Sequence, residues 1–167
     1  SNSPYAFPAV RLALNAQSNP VPNGNWRSVS MSHNAFYQEA FMNEVAEATG
    51  KDPIAFRREL LSHKPEFVAV LDTLEEKSDW HTPLAPGPDG SKRGRGVAFL
   101  EAFASIVGQV VEVTVAANGD LTIDRVVSVV DPHTVVNPNI VEAQVEGAVI
   151  DGLSTALYGQ IDVEDGR

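Results

Sequence analysis

The sequence contains no cysteine, which excludes disulfides, thiolate zinc sites and iron–sulfur ligation within these 167 residues. Positive charge is also scarce, because 12 Lys and Arg are set against 22 Asp and Glu, for a net charge of −10. Binding to nucleic acid needs clustered cations, and the only clusters are Arg57-Arg58 and residues 92–95. The composition therefore argues against a nucleic-acid partner.

Long apolar runs are missing as well. No run approaches the roughly 18 residues needed to span a bilayer, and the N-terminus lacks the basic-then-apolar pattern of a signal peptide. We therefore expect no membrane span in this segment.

Common catalytic motifs are absent too. The glycines between residues 87 and 96 lack the spacing of a phosphate-binding loop, and residues 152–156 lack the second glycine of a serine nucleophile elbow. The four histidines lie far apart without an i, i+4 pair, so we expect no metal site built from them.

Helical periodicity dominates the first half of the chain. A helix is predicted from about His33 to Thr49, capped by Ser32 and ended by Gly50. Its apolar positions form one stripe: Tyr37, Ala40, Phe41, Val45 and Ala48. The acidic series Glu39, Glu44 and Glu47 is predicted to be a solvated edge of this helix.

Two shorter helices are expected next, from Pro53 to Leu61 and from Pro65 to about Lys77. In the second of them, the inward positions are Phe67, Val68, Leu71 and Leu74. The short spacing predicts that the three helices are antiparallel neighbours.

Alternation replaces helical periodicity after a linker rich in proline and glycine. The predicted strands are Gly96 to Phe103, Gln109 to Ala116 and Leu121 to Val130, the last two joined by a two-residue turn at Asn118-Gly119. Upstream, Ala9 to Ala13 is predicted to be a short strand, and Gln17 to Asn25 a loop.

A long helix is predicted after Asn137, which offers a cap before Pro138. One face is expected to be core, formed by Val141, Val145, Ala148, Val149, Gly152, Leu153, Ala156 and Leu157. Gln144, Gly147 and Asp151 fall on another face. Glycine inside a helix costs roughly 1 kcal/mol, so Gly147 and Gly152 suggest close approach, either by another helix or by a ligand bound to Gln144.

The predicted fold class is α+β, with a small helical cluster, an antiparallel sheet and one long covering helix. We divide it into a helical segment (4–80), a linker (81–96) and a sheet with the long helix (97–167). Ser1-Asn2 resembles a tag-cleavage scar, and residues 160–167 form a predicted strand and an Asp-Gly turn without a return strand. We therefore expect a piece of a longer protein.

Asp131 and His133 form a polar turn between the last strand and this helix. They suit acid–base chemistry, or a turn in which the carboxylate accepts hydrogen bonds from nearby backbone N–H groups.

Two stretches resemble motifs of molybdenum hydroxylase large subunits, the xanthine oxidase family. NWRSVSMSHNAFYQEAFMNEVAEATGKDPIAFRRELL is similar to a segment of the form W-R-S-V-G-x-S-x-N-A-F-x-x-E-S-F-x-D-E-L-A, followed by G-x-D-P-x-x-F-R. VVDPHTVVNPNIVEAQVEGAVIDGLSTALYG is similar to D-x-G-x-x-x-N-P-x-x-x-x-x-Q-x-E-G-x-x-x-G-L. Within the family, the resemblance is to β-subunits of isoquinoline 1-oxidoreductase and related aldehyde dehydrogenases, from about Pro4 to the end of the chain.

The resemblance implies a hydroxylase whose molybdenum–pterin cofactor inserts oxygen from water into a C–H bond of an N-heterocycle or aldehyde. It also implies that electrons leave through iron–sulfur clusters in a partner subunit. The implied cofactor-binding residues are Arg27, Ser28, Val29, Gln144 and Gly147. Arg27 suits an oxo group, a substrate or a phosphate, or else a salt bridge within the fold. Trp26 suits a flat substrate pocket or a core position.

The chain departs from these motifs where Ser30 and His133 replace glycines. The catalytic glutamate of the family belongs to a Gly-Val-Gly-Glu-Pro-like motif that lies beyond the end of this chain, so no catalytic residue is expected here. We expect the chain alone to be inactive. The alternative is a non-catalytic structural or interaction domain. The resemblance leaves the location open, since members of the family occur in the cytoplasm and in the periplasm.

Overall fold

The computed structural model describes residues 3–17, 24–88 and 90–165. The proposed scar at residues 1–2 and most of the predicted loop at 17–25 therefore lie outside the described residues. Contacts divide the chain into two units. The first unit comprises residues 1–9 and 28–133, and the second unit comprises residues 10–27 and 134–167.

The first unit contains three helices: α1 (Met31–Ala48), α2 (Pro53–Leu60) and α3 (Pro65–Lys77). Local signals set their ends. Gly50, at a φ of 65°, ends α1, and the Asp52 side chain accepts hydrogen bonds from the N–H groups of Ile54 and Ala55 at the start of α2. The predicted cap of α1 was wrong, because Ser30 occupies the N-cap position and Ser32 lies inside the helix.

The sheet has three antiparallel strands in the order β1 (Lys92–Ala102), β2 (Ser105–Val115) and β3 (Leu121–Asp131). β1 begins four residues before the predicted start. Phe103 and Ala104 join β1 to β2, both with left-handed φ values of 51° and 59°. Positive φ at both central residues is the geometry of a type I′ turn, which matches the twist of the strands.

The second hairpin has a three-residue loop, residues 117–119, instead of the predicted two-residue turn. The Ala116 N–H donates to the Asp120 carbonyl at 2.9 Å, and the Gly119 N–H donates to the Ala116 carbonyl at 2.9 Å. Gly119 has a φ of 92°. A type I turn followed by a left-handed glycine is the usual form of a three-residue hairpin loop.

Helix α3 packs on one face of the sheet, α1 lies along β1, and α2 packs against α1 and α3. Alternate strand residues, among them Val97, Phe99, Ile106 and Val110, meet Phe67, Val70, Leu71 and Leu74 of α3, and all are at most 4% exposed. Burying apolar side chains of this size stabilises the fold by about 1.5–3 kcal/mol each. The predicted α+β class, with a helical cluster and an antiparallel sheet, is confirmed.

Helix α1 packs with a different face from the one the apolar stripe predicted. Tyr37 and Phe41 are 64% and 63% exposed, whereas Glu39, Met42 and Ala46 are buried. The prediction that Glu39 lies on a solvated edge was therefore wrong, because specific partners bind its carboxylate inside the unit.

Those partners form a buried network around Glu39. Its Oε2 accepts from Arg57 Nε at 2.9 Å and from the Phe99 backbone N–H at 2.9 Å. Its Oε1 accepts from the Tyr5 hydroxyl at 2.9 Å. Arg57 is 0% exposed and also donates to the Val97 carbonyl. The network joins α1, α2, β1 and the N-terminal segment, and each charge in it is hydrogen-bonded as burial requires.

The second unit contains α4 (Pro138–Tyr158), whose cap Asn137 accepts from the N–H groups of Asn139 and Ile140 as predicted. None of the residues of α4 is buried. The expected core face is reduced to a half-buried stripe: Val141, Val145, Val149 and Leu153.

Two predicted strands are absent. Residues 9–13 and 160–164 have no regular structure, and Leu12 and Ile161 are 74% and 85% exposed. An alternating pattern forms a strand only where another strand pairs with it, and these two segments have no such partner among the described residues. In the described ranges, every helix is too short or too polar to cross a bilayer.

Candidate functional site

The turn that leads into α1 carries two of the predicted cofactor residues, Ser28 and Val29. They have left-handed φ values of 71° and 55°, and the Met31 N–H donates to the Ser28 carbonyl at 3.0 Å. Left-handed φ at a β-branched residue costs of order 1–3 kcal/mol, and such strain clusters at functional sites. This turn is therefore an unusual feature of the first unit.

The start of α1 also has free hydrogen-bonding capacity. Ser30 makes no side-chain capping hydrogen bond, and the first turn has no acidic residue. Because the first N–H groups of a helix have no partner within the helix, this terminus attracts anions and hydrogen-bond acceptors. In contrast, Asn137 caps α4.

A cavity of about 530 Å³ lies beside this helix start, in the first unit. Its lining includes the N-cap residue Ser30, Asn34 and Gln38 of α1, together with Lys64 and Phe103. The Lys64 ammonium lies 3.6 Å from the Glu101 carboxylate. Sequence reasoning missed Gln38 and Lys64, although Asn34 belongs to the first of the two motifs that the sequence resembles.

Arg27 lies in the second unit, where its guanidinium is 3.7 Å from the Asp151 carboxylate of α4. The two side chains are 62% and 56% exposed. Of the two sequence-based interpretations, the salt bridge within the fold is the one present. An exposed pair of this kind contributes about 0–1 kcal/mol, so the salt bridge fixes the Arg27 side chain only weakly.

Gln144, Gly147 and Asp151 lie along one face of α4. Seven residues make about two turns of an α-helix, so Asp151 stands almost directly above Gln144. The second unit thus places Arg27 against the face that carries Gln144. Apart from chain neighbours and the local helix backbone, no heavy atom of the described residues lies within 4 Å of a Cβ built at Gly147 or Gly152, so no other helix approaches α4 at these glycines.

Trp26 is 62% exposed, so the interpretation of a core tryptophan was wrong. Its indole remains available to a flat ligand.

The turn after β3 is a capped turn and not an acid–base pair. Asp131 Oδ1 accepts from the His133 backbone N–H at 2.8 Å, which confirms the capping interpretation. His133 has a φ of 61°, a region that favours glycine. That geometry accounts for the glycine at this position in the motif that the sequence resembles.

Metal-binding groups are not assembled in the described part of the chain, where no three His, Asp or Glu side chains lie close enough to hold an ion. In the first unit, the donors near the start of α1 are backbone N–H groups. In the second unit, Arg27 offers a guanidinium and Gln144 of α4 an amide. Each kind of donor recognises an anionic, hydrogen-bonding ligand better than a bare cation.

The fold of the described residues is of the α+β class. Residues 40–167 match the family described as the molybdopterin cofactor-binding domain. This is most of the chain, and the chain belongs to that family. The resemblance found in the two sequence motifs is thereby confirmed.

Three relatives are similar to 94–97% of the chain. It is 33% identical to the beta subunit of isoquinoline 1-oxidoreductase from Brevundimonas diminuta and 31% identical to a nicotinate dehydrogenase subunit from Pseudomonas putida. It is 30% identical to the membrane-bound aldehyde dehydrogenase (pyrroloquinoline-quinone) of Gluconacetobacter polyoxogenes. The chain spans 21%, 15% and 22% of the lengths of these relatives, respectively.

Proposed function

We propose that this chain is part of the molybdenum-cofactor-binding subunit of an oxidoreductase that hydroxylates N-heterocycles or oxidises aldehydes with water as the oxygen source. The family match over residues 40–167 carries the proposal, because it includes Gln144 and Gly147. One relative has a different cofactor, pyrroloquinoline quinone, in its name. We give more weight to the family match, because it compares the residues of this chain directly, whereas the name describes a relative.

The residues present fit such a cofactor. A pterin with a phosphate-bearing tail offers anionic oxygens and many hydrogen-bonding ring edges. The uncapped start of α1, the Arg27 guanidinium and the Gln144 amide are donors of the matching kind. When bound, the cofactor would supply the two-electron oxidation of the substrate C–H bond.

Each residue has a proposed part in binding. Arg27 donates to an anionic oxygen, and because its exposed contact with Asp151 is weak, the exchange costs little. Gln144 donates to and accepts from a pterin edge, Gly147 leaves the backbone accessible beside it, and Ser28 and Val29 present backbone N–H groups from their strained turn.

The exposed indole of Trp26 would stack on a flat substrate. No residue of this chain is assigned to catalysis, and none is assigned as a metal ligand. The base that takes the proton belongs to the rest of the large subunit, and electrons pass to iron–sulfur clusters of a partner subunit. The chain alone is therefore proposed to bind the cofactor weakly and to be inactive.

Cofactor occupancy in the complete enzyme tests this proposal. Gln144→Ala and Arg27→Ala should each weaken binding by about tenfold, the effect of losing one hydrogen bond to a charged or strongly polar group. Molybdenum and released pterin would be measured per enzyme molecule after purification. The matched controls are Gln160→Ala and Arg11→Ala, which remove an exposed amide and an exposed guanidinium from the same unit.

Normal occupancy in both site variants would refute the assigned roles. Absence of molybdenum from the wild-type enzyme, with no dye reduction by an aldehyde or a heterocycle, would favour the structural or interaction domain. The same conclusion would follow from a parent sequence without a Gly-Val-Gly-Glu-Pro-like motif.

A further inference from the structure

The two edges of the sheet differ in whether their outward backbone groups are bound. At the β1 edge, side chains from helices bind two of these groups. Glu39 Oε2 accepts from the Phe99 N–H at 2.9 Å, and the Val97 carbonyl accepts from Asn43 Nδ2 at 3.1 Å and Arg57 Nη2 at 3.4 Å. Two outward backbone groups at the centre of this edge, the Phe99 N–H and the Val97 carbonyl, are thus already bound, so a further strand cannot pair along the whole of β1.

The edge formed by β3 is open. Hydrogen-bonding direction alternates along antiparallel strands, and Val97 and Phe99 point away from β2. The partners of Val97 and Phe99 on β2 therefore point towards β3. By the register of β2 with β3, the backbone groups of Val126, Ser128 and Val130 then point away from the sheet. No strand of the described residues pairs with them. Open edges of this kind are sites for pairing with another chain.

The open edge has defined limits. Glu112 pairs with Arg125, and Val113 pairs with Ile123, so Asp124 is the extra residue of a β-bulge. At the other end, Pro132 has no N–H to donate. The stretch available for pairing is therefore 125–131, and it contains neither lysine nor proline, the residues that commonly protect an edge.

The sequence of this stretch is self-complementary about its centre, Ser128. In an antiparallel pair with a second copy, Val126 lies opposite Val130 and Arg125 lies opposite Asp131. The apolar pair is favourable, and the other pair brings opposite charges together while Arg125 keeps its hydrogen bonds to the Lys77 and Ser78 carbonyls of its own copy. Twofold symmetry makes each pair occur twice, as in an isologous dimer.

We propose that the outer edge of β3 is an interface between two copies of this chain, paired antiparallel about Ser128. The two three-stranded sheets then form one continuous six-stranded sheet. The interface uses no residue assigned to cofactor binding, so the proposal of a dimer does not depend on the proposed function.

Analytical ultracentrifugation of two variants tests the pairing. Ser128→Pro removes the central outward N–H of each copy while leaving the ladder to β2 intact. Ser128→Ala is the matched control, because both variants lose the Gln109 hydrogen bond to the Ser128 hydroxyl but only proline lacks the N–H. We expect particles of twice 17.9 kDa for the wild type and Ser128→Ala, and of 17.9 kDa for Ser128→Pro.

Cysteine cross-linking tests the register and does not depend on how proline is tolerated. Directly opposed residues in a hydrogen-bonded pair have Cα atoms about 5.5 Å apart, within the range of about 4.4–6.8 Å for a disulfide. The chain has no cysteine of its own, so Ser128→Cys should form a disulfide dimer under mild oxidation, and Thr122→Cys, an exposed position of the same strand, should not.

A monomeric wild type at high concentration would overturn the proposal, as would a dimeric Ser128→Pro. Equal cross-linking of the two cysteine variants would exclude the register centred on Ser128.

Discussion

The two units of this chain differ in what holds them together. Every buried side chain among the described residues belongs to the first unit, which contains an apolar core and the Glu39–Arg57 pair. The second unit has a long capped helix, α4, yet none of its residues is buried. The same chain therefore combines a self-supporting unit with one whose apolar residues have no core of their own.

This difference separates stability from proposed function. Arg27, Gln144 and Gly147 are all exposed residues of the second unit. Changing them removes little buried surface, so their loss should affect ligand binding more than folding. Residues of the first unit should behave in the opposite way, and substitutions in both units can break or sharpen that contrast.

The largest effect is expected from Glu39→Ala. Removing the carboxylate leaves the Arg57 guanidinium buried without its counter-charge and the Phe99 N–H without an acceptor. Breaking one side of a buried pair costs about 3–5 kcal/mol. The free energy of unfolding, measured with denaturant and circular dichroism, should fall by that amount.

Glu44→Ala is the control for this experiment, because Glu44 is an exposed carboxylate on the same helix. It should change stability by less than about 0.5 kcal/mol. If the two variants were equally stable, the Glu39 carboxylate would not be what holds α1 to α2 and β1.

A leucine from each unit tests the contrast directly. Leu74 is 0% exposed in the core, whereas Leu157 of α4 is 40% exposed. Leu74→Ala should cost about 2–5 kcal/mol because it leaves a cavity, and Leu157→Ala about 0.5 kcal/mol or less. Thermal or denaturant unfolding compares them, and a loss at Leu157 as large as that at Leu74 would show that the second unit has a core.

The sequence predicted those elements whose signals are local. Pro53 and Pro65 at first helical positions and the Asp52 cap located α2 and α3 closely, and alternation indicated β2, although β2 begins four residues before its predicted start. Each of these signals acts within a few residues, so no knowledge of the tertiary structure was needed.

The face of α1 was not predictable in that way. Glu39 turns inward because Arg57, 18 residues away, and Phe99, 60 residues away, bind its carboxylate. From the local sequence alone, a glutamate such as Glu39 is expected to be exposed, because the partners that bind its carboxylate are far away in the chain. One signal was present, however: Glu39 and Arg57 occupy the charged positions in the E-S-F and F-R parts of the motif that the sequence resembles.

The candidate site was predictable only in part. Arg27 and Gln144 were selected by resemblance, and the structure brings Arg27 to the face of α4 that carries Gln144 through its contact with Asp151. That contact joins residues more than a hundred positions apart, so no local pattern indicates it. The strain at Ser28 and Val29 was equally hidden, because neither residue type favours a left-handed φ.

The smallest expected effect concerns pH and the Tyr5 phenol. Burial and the neighbouring Glu39 carboxylate raise the pKa of Tyr5 well above its ordinary value. In the unfolded chain the phenol ionises at a pKa of about 10, so the native state keeps a proton that the unfolded state loses. Stability from this group is complete below pH 10 and falls above it by up to about 1.4 kcal/mol per pH unit.

Tyr5→Phe removes both this titration and the hydrogen bond to Glu39. At pH 8 the variant should therefore be less stable than the wild type by about 1.5–3 kcal/mol, the contribution of a hydrogen bond to a charged group. Above pH 10 the wild type alone loses the Tyr5 contribution, so the difference should narrow. Chemical unfolding of both proteins from pH 8 to pH 11 measures it, and a difference independent of pH would mean that water reaches Tyr5 and that the first unit is less tightly closed than its contacts indicate.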